Sequence, residues 1–422
     1  MSQAAIANLL ATFERFGINL GLTRITQLLA NLGHPEGQVP IIHVAGTNGK
    51  GSVCAYLSSI LTAAGYRVGR FTSPHLVHWT ERICLNDQPI APERLLAVLE
   101  KIQAAIDPNQ ETPTQFEVIT AAGFLYFAQE EVDIAVIEVG LGGRLDSTNV
   151  CDRPLVSVIT SIGMDHWQRL GNSLDKIAGE KAGILKQDCP AVIGEVPEIA
   201  AQVIREKIQA LNCPATWIQS AQIMHSPSEE GQRGMLAKYG EFEYSLPLLG
   251  EIQLHNSAIA IETTYALRQQ GWQISDQQLR DGIAKTRWAG RIEWHQWQGQ
   301  KILIDGAHNG VAAAELRKYV DTLPQPVTWV MGMLSTKDHQ NVLQALLRDG
   351  DHLHLVPVGG HSSADPQALA MLAQVICPAL ASCQTHATLT AALDQAIATP
   401  HTRVLCGSLY LLGEFLSDAA KI

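Results

Sequence analysis

The sequence predicts an α/β protein: a mostly parallel sheet domain of the P-loop type, followed by a smaller Rossmann-like α/β domain. Three observations carry that expectation. Short β-branched runs alternate with helical patterns along most of the chain. A glycine-rich turn joins an early strand to the helix after it, and the rhythm falters around residues 222–247 before restarting beyond Arg291. At 422 residues the chain also exceeds what one hydrophobic core usually supports, so a division into 1–290 and 291–422 is expected.

In chain order, the opening MSQAAIANLLATFERFG places Glu14 and Arg15 in a helix-like pattern and lacks the charged start and apolar run of a leader. The runs 40–45, 132–139, 155–160 and 191–193 are apolar and short, as buried strands are. Between the first two lies SVCAYLSSILTAAG, helical in period and closed by Gly65. The segment SEEGQRG (228–234) is polar and turn-rich, and GEFEYSL (240–246) alternates, which predicts an inserted antiparallel hairpin. Two helices follow, 255–270 and 275–286, the second capped by Ser275. Strand-like KILID, PVTWVMG, HLHLVPV and RVLCG then alternate with helices starting near Val311, Asp338, Asp365 and Thr388.

Composition excludes several classes of function. Thirty Lys and Arg against 41 Asp and Glu give a net charge of −11, which argues against a mainly electrostatic grip on nucleic acid. The eight cysteines are scattered with no C-x-x-C pair, pointing to a reduced, cytosolic protein without a zinc ribbon. No apolar run approaches the roughly 18 residues of a membrane span.

Gly46-Thr47-Asn48-Gly49-Lys50-Gly51-Ser52 follows a predicted strand and opens a predicted helix. Backbone N–H groups, the helix N-terminus and Lys50 together suit a triphosphate, although an ordinary glycine-rich turn shares the pattern. The loop departs from G-x-x-x-x-G-K-[ST], because Val44 holds the first glycine position and Gly51 stands where a metal-binding hydroxyl usually follows the lysine. A magnesium hydroxyl must then come from Ser52 or from Ser73 in Thr72-Ser73-Pro74-His75-Leu76. Glu138 ends a buried strand, where parallel sheets present ligands to a site; its bland alternative is an ion pair with Arg144. His166 closes a similar strand-end segment. Lys181, in a helix-like run, either contacts phosphate directly, carries a carbamate, or pairs with a neighbouring glutamate.

Taken with AGTNGKGSV, TSPHL with Glu81-Arg82-Ile83, Thr114-Gln115-Phe116-Glu117, EVGLGGRLDSTN, Met164-Asp165-His166, GEKAGILK, WAGRIE, DGAHN and Cys406-Gly407-Ser408-Leu409-Tyr410, the chain resembles the folylpolyglutamate synthase and dihydrofolate synthase family, relatives of the Mur ligases. That resemblance implies an ATP-dependent ligase adding L-glutamate to dihydropteroate or reduced folates through an acyl phosphate. It implies ATP on Asn48, Gly49, Lys50, Gly51, Ser52, Asn256, Arg291 and Asp305, with Lys50, Lys181 and His308 catalytic. Ser73, Glu138 and His166 are implied as ligands for Mg2+, two ions in all, and Lys181 as the lysine that relatives carbamylate. Arg82, Thr114, Gln115, Phe116, Glu117, Leu145, Asp146 and Ser147 are implied for the pteroate or folate. Its partners would be small molecules, with no nucleic acid or membrane, acting on a cytoplasmic monomer. One departure stands out: relatives often show Gly-x-His-Gln before the asparagine, where this chain has Ile252.

Rival readings are a nucleotide-hydrolysing switch, a small-molecule kinase, a Mur-type peptide ligase and a non-enzymatic nucleotide-binding module. The guanine-specific [NT]-K-x-D run is missing, since Thr336-Lys337-Asp338 places its aspartate one position early.

Overall fold

The structure is a computed structural model and describes residues 2–14, 19–225 and 234–419. Arg15 and most of the SEEGQRG turn lie outside the described residues. The chain divides into two compact units, Met1–Pro247 with Gln253–Arg287, and Leu248–Ile252 with Trp288–Ile422.

The first unit is built on eight strands: β1 (Ile41–Ala45), β2 (Val68–Phe71), β3 (Ile83–Leu85), β4 (Gln88–Pro89), β5 (Ile134–Glu138), β6 (Val156–Ile159), β7 (Ala191–Ile193) and β8 (Ala215–Trp217). Their order is β4-β3-β2-β5-β1-β6-β7-β8, parallel from β2 to β8 and antiparallel at the β3 and β4 edge. Both faces of β1 and β5 are buried, which is why their sequences are continuous apolar runs rather than alternating ones. The helix Lys50–Ala63 is buried from Ser52 to Leu61, because the helix Asp276–Lys285 packs onto it at Gly282, with Ser59 Oγ donating to the Gly282 carbonyl at 2.7 Å. A large apolar core joins the helices Ser2–Ala11, Thr23–Asn31, Pro92–Ala105 and Gln115–Gln129 to the sheet through Ile41, Phe71 and Ile137. The predicted hairpin belongs to a three-stranded antiparallel sheet of β9 (Gln222–His225), β10 (Met235–Tyr239) and β11 (Phe242–Leu246).

The second unit carries β12 (Glu293–Trp297), β13 (Gln300–Ile304), β14 (Val327–Met331), β15 (His352–Leu355), β16 (Ser382–Thr385) and β17 (Thr402–Cys406), ordered β12-β13-β17-β14-β15-β16. Only β12 runs antiparallel. Side chains of Asn309, Asp338, Asp365 and Thr388 cap four of its helices, each accepting from a backbone N–H two or three residues on.

Candidate active site

In the first sheet, β1 leads through its helix to β2 on one side, while β5 and β6 lead the chain toward the other. The carboxyl ends of β1 and β6 therefore border a topological switch point, the place where open parallel sheets bind ligands. The glycine-rich loop sits there. Thr47 N donates to Ser161 O (2.8 Å), Asn48 N donates to Ser161 Oγ (3.0 Å), and Thr160 Oγ1 donates to Asn48 O (2.6 Å). Thr47 Oγ1 also bridges to the Gly163 backbone. Sequence reasoning assigns the segment after β6 to metal binding only; its first residues in fact brace the phosphate loop. Clustered Ser and Thr at a strand end was the available signal.

Two glycines are required by shape. Gly49 has φ 86 and a Cβ there would collide with the Asn256 amide; a Cβ on Gly46 would collide with the Thr160 hydroxyl. Asn256 thus lies against the phosphate loop, its Nδ2 donating to Gln253 Oε1 (3.1 Å), so Gln253 provides a polar contact that Ile252 cannot. Gly51 and Ser52 occupy the first turn of the helix, Ser52 buried.

Two lysines converge on one carbonyl. Lys50 Nζ donates to Gly46 O (3.0 Å) and Thr47 O (3.1 Å), and Lys181 Nζ donates to Gly46 O (2.8 Å). Burial first, then the neighbouring Lys50 charge, push the Lys181 ammonium down to about 7, against partial opposition from Asp165 and Asp146. Lys181 is therefore no surface lysine paired with Glu180; that glutamate accepts instead from Arg144 NH2 at 2.8 Å.

Glu138 is buried at the end of β5 and accepts from Ser73 N at 3.0 Å. The Ser73 segment thus folds back beside the strand end, with a cis Ser73–Pro74 peptide. His166 is placed differently: it starts the short helix Trp167–Leu170 from the left-handed region, with its side chain 47% exposed. Among the described residues no three His, Cys, Asp or Glu side chains form a cluster able to hold a metal by themselves.

The predicted pteroate-binding residues form a neighbouring layer with much of its polar capacity used internally. Thr114 and Glu117 form a capping box, Thr114 N donating to Glu117 Oε2 (2.6 Å), and Glu117 also pairs with Arg24 (3.1 Å). Gln115 donates to Leu10 O (3.1 Å), and Phe116 lies 6.2 Å from Phe71, ring to ring. Arg82 donates to His75 Nδ1 (2.9 Å) and lies 4.5 Å over the Trp79 ring. Leu145 O accepts from Gly21 N, and Ser147 is buried. Asp146 accepts from Leu141 N and from both N–H and hydroxyl of Thr148; burial raises its pKa against the pull of those bonds.

In the second unit, Asp305 follows β13 and accepts from Ile292 N (2.9 Å) and Ala307 N (2.7 Å). Burial raises its pKa, opposed by Arg291, those N–H groups and His308. His308 Nδ1 donates to Gly306 O (2.8 Å), and Arg291 NH1 to Gly290 O (3.0 Å). Arg291, Asp305 and His308 thus gather at one strand end.

A braced phosphate loop at a parallel-sheet switch point, with two cations and a strand-end carboxylate beside it, defines a P-loop protein of the nucleotide-using ligase type. The Mur ligase middle domain matches residues 44–264, and the dihydrofolate synthetase C-terminal domain matches residues 291–418. The chain is 39% identical to a Bacillus subtilis dihydrofolate synthase/folylpolyglutamate synthase over 79% of this chain and 80% of that one. It is 36% identical to the dihydrofolate synthetase of Saccharomyces cerevisiae over 94% and 97%. A Mycobacterium tuberculosis folylpolyglutamate synthase complexed with ADP and AMPPCP superposes with a TM-score of 0.89 at 30% identity, covering 99% of each chain. An Escherichia coli structure in complex with DHPP and ADP gives 0.84 at 31% identity, covering 99% of this chain and 98% of the other. The chain belongs to the dihydrofolate synthase/folylpolyglutamate synthase family.

Proposed function

We propose that the protein is an ATP-dependent ligase that joins L-glutamate to dihydropteroate and to the γ-carboxylate of reduced folates. The observation that carries the reading is the braced loop 46–51, with Lys50, Lys181 and Glu138 around it, in a chain whose relatives bear both activities in their names.

A carboxylate does not condense with an amine at neutral pH, because its oxygen is a poor leaving group. Phosphoryl transfer solves that: a carboxylate oxygen attacks the γ-phosphorus, ADP leaves, and the glutamate amine then displaces phosphate from the acyl phosphate, releasing a proton. Asn48, Gly49, Lys50 and Gly51 cradle the triphosphate, Ser52 lies behind them, and Asn256 packs on the loop. Lys50 neutralises charge that develops on the transferring phosphoryl group.

Ser73 and Glu138 fit magnesium, being hard oxygen donors brought together beside the phosphate loop, and magnesium takes few protein ligands alongside phosphates and water. Bound there, the ion would supply charge neutralisation on the nucleotide. His166 is our candidate for a second ion. Lys181, with its ammonium held near 7, is partly neutral at physiological pH, as attack on CO2 to form a carbamate requires. Arg82 and the segments 114–117 and 145–147 are assigned to the pteroate. Arg291 and Asp305 are assigned to the nucleotide and His308 to catalysis. Eight free thiols agree with a cytoplasmic setting, and we read the enzyme as a monomer acting on small molecules.

The acyl-phosphate step is tested with dihydropteroate labelled with oxygen-18 in its carboxylate. Label should appear in the released phosphate; unlabelled phosphate overturns the mechanism.

A further inference from the structure

Behind the loop that follows β5 runs a buried chain of three polar side chains. Asp146 closes this loop by accepting from Leu141 N (2.8 Å) on one oxygen and from Thr148 N (3.0 Å) and Thr148 Oγ1 (2.6 Å) on the other. Thr148 Oγ1 lies 2.8 Å from His43 Nε2. All three side chains are buried, His43 and Thr148 completely.

The proton positions follow from the partners. Asp146 also takes two backbone N–H groups, which favours the carboxylate, so the Thr148 hydroxyl proton points to Asp146. The Thr148 oxygen then accepts, and His43 must donate through Nε2–H. Among the described residues its buried Nδ1 has no hydrogen-bond partner. Such an orphan is uncommon in a folded interior.

His43 stands in the middle of β1, opposite Ile137 and Ser157 of its neighbours and three residues before Gly46 of the phosphate loop. We infer that His43, acting through Thr148, is a positioning residue that sets the Leu145–Ser147 segment at a fixed distance from the phosphate loop. The distance concerned is the one that ligation needs between the pteroate carboxylate and the γ-phosphate. The inference rests on the pteroate role proposed for that segment. The hydrogen bonds of the two side chains run to each other and to Asp146, not to the phosphate loop.

The test compares purified His43→Met and Thr148→Val, which remove the donor and the hydroxyl, with His43→Gln and Thr148→Ser, which keep them. Gln places an N–H close to where Nε2–H lies. With wild type turning over, the first pair should raise KM for dihydropteroate about tenfold, the loss of roughly one hydrogen bond to a charged network, and leave KM for ATP within about twofold. The second pair should restore wild-type values. Equal shifts in both KM values, or Gln and Ser variants as impaired as Met and Val, overturn the relay. Should His43→Met not fold, the Thr148 pair decides alone. A wild-type enzyme without glutamate-dependent turnover would instead contradict the proposed function, so the two failures are distinguishable.

Discussion

At the scale of single residues, Lys181 and Glu138 show stability and chemistry pulling in opposite directions. Holding the Lys181 ammonium near 7 means that the unfolded chain binds the proton more readily between pH 7 and 10.5, so this group's burial costs stability at neutral pH and the cost fades as pH rises. Lys181→Met should therefore raise stability by about 1–3 kcal/mol while cutting ligation by about 100-fold or more, as removing a buried unpaired charge from working machinery does. Thermal denaturation and ADP release measure the two effects. Glu138→Gln keeps the shape and removes the charge; ligation should fall by about 100-fold or more with the melting temperature little changed. Near-normal turnover would take Glu138 out of the metal site. Sequence alone separated some residues poorly. Thr114 and Glu117 stand at the spacing of a capping box, and the resemblance places them at the substrate; the structure shows the cap, with Glu117 Oε2 in the Arg24 pair and Glu117 Oε1 buried without a hydrogen bond among the described residues.

At the scale of elements, what was legible is what local chemistry encodes. β1, β5, β6 and β7 show as apolar runs because both of their faces are buried, and Ser275 shows as a cap because its capping box is local. Strands β2, β3, β4, β8, β12 and β16 escaped notice: β2 and β3 are runs of four and three residues, too short to show a pattern, and the other four are short or half-exposed edges, such as QP and SCQT. The Ser and Thr cluster after β6 was legible, but its partners in the phosphate loop were not, because the bracing joins positions more than 100 residues apart. Gly49→Ala forces a side chain into the left-handed region against Asn256; we expect a stability loss of about 1–2 kcal/mol and a larger loss of ATP affinity, read by calorimetry. On β15, burial, then His386 and His352, push His354 down to about 4, while burial and Lys186 push His43 on β1 down to about 3. Both values lie below the unfolded 6.5, so the unfolded chain gains protons first as pH falls. The stability these two histidines contribute should thus be fully present above pH 6.5 and decline below it, by at most about 1.4 kcal/mol per pH unit for each histidine. Melting temperatures between pH 7.5 and 4.5 measure the slope, and His354→Gln should flatten it.

At the scale of the whole molecule, two α/β units each place polar residues at parallel-strand carboxyl ends, Lys50 and Glu138 in one and Asp305 in the other. The sequence made that plan visible because its motifs stand in the same order as the strands that carry them. What remains a matter of chemistry is which carboxylate accepts the glutamate. The most direct measurement is ADP release by the purified protein with ATP, magnesium and L-glutamate, offering dihydropteroate and tetrahydrofolate separately. Glutamate-dependent release with each acceptor, and a product larger by one glutamate, is the predicted result; no glutamate-dependent release with either acceptor would contradict the ligase.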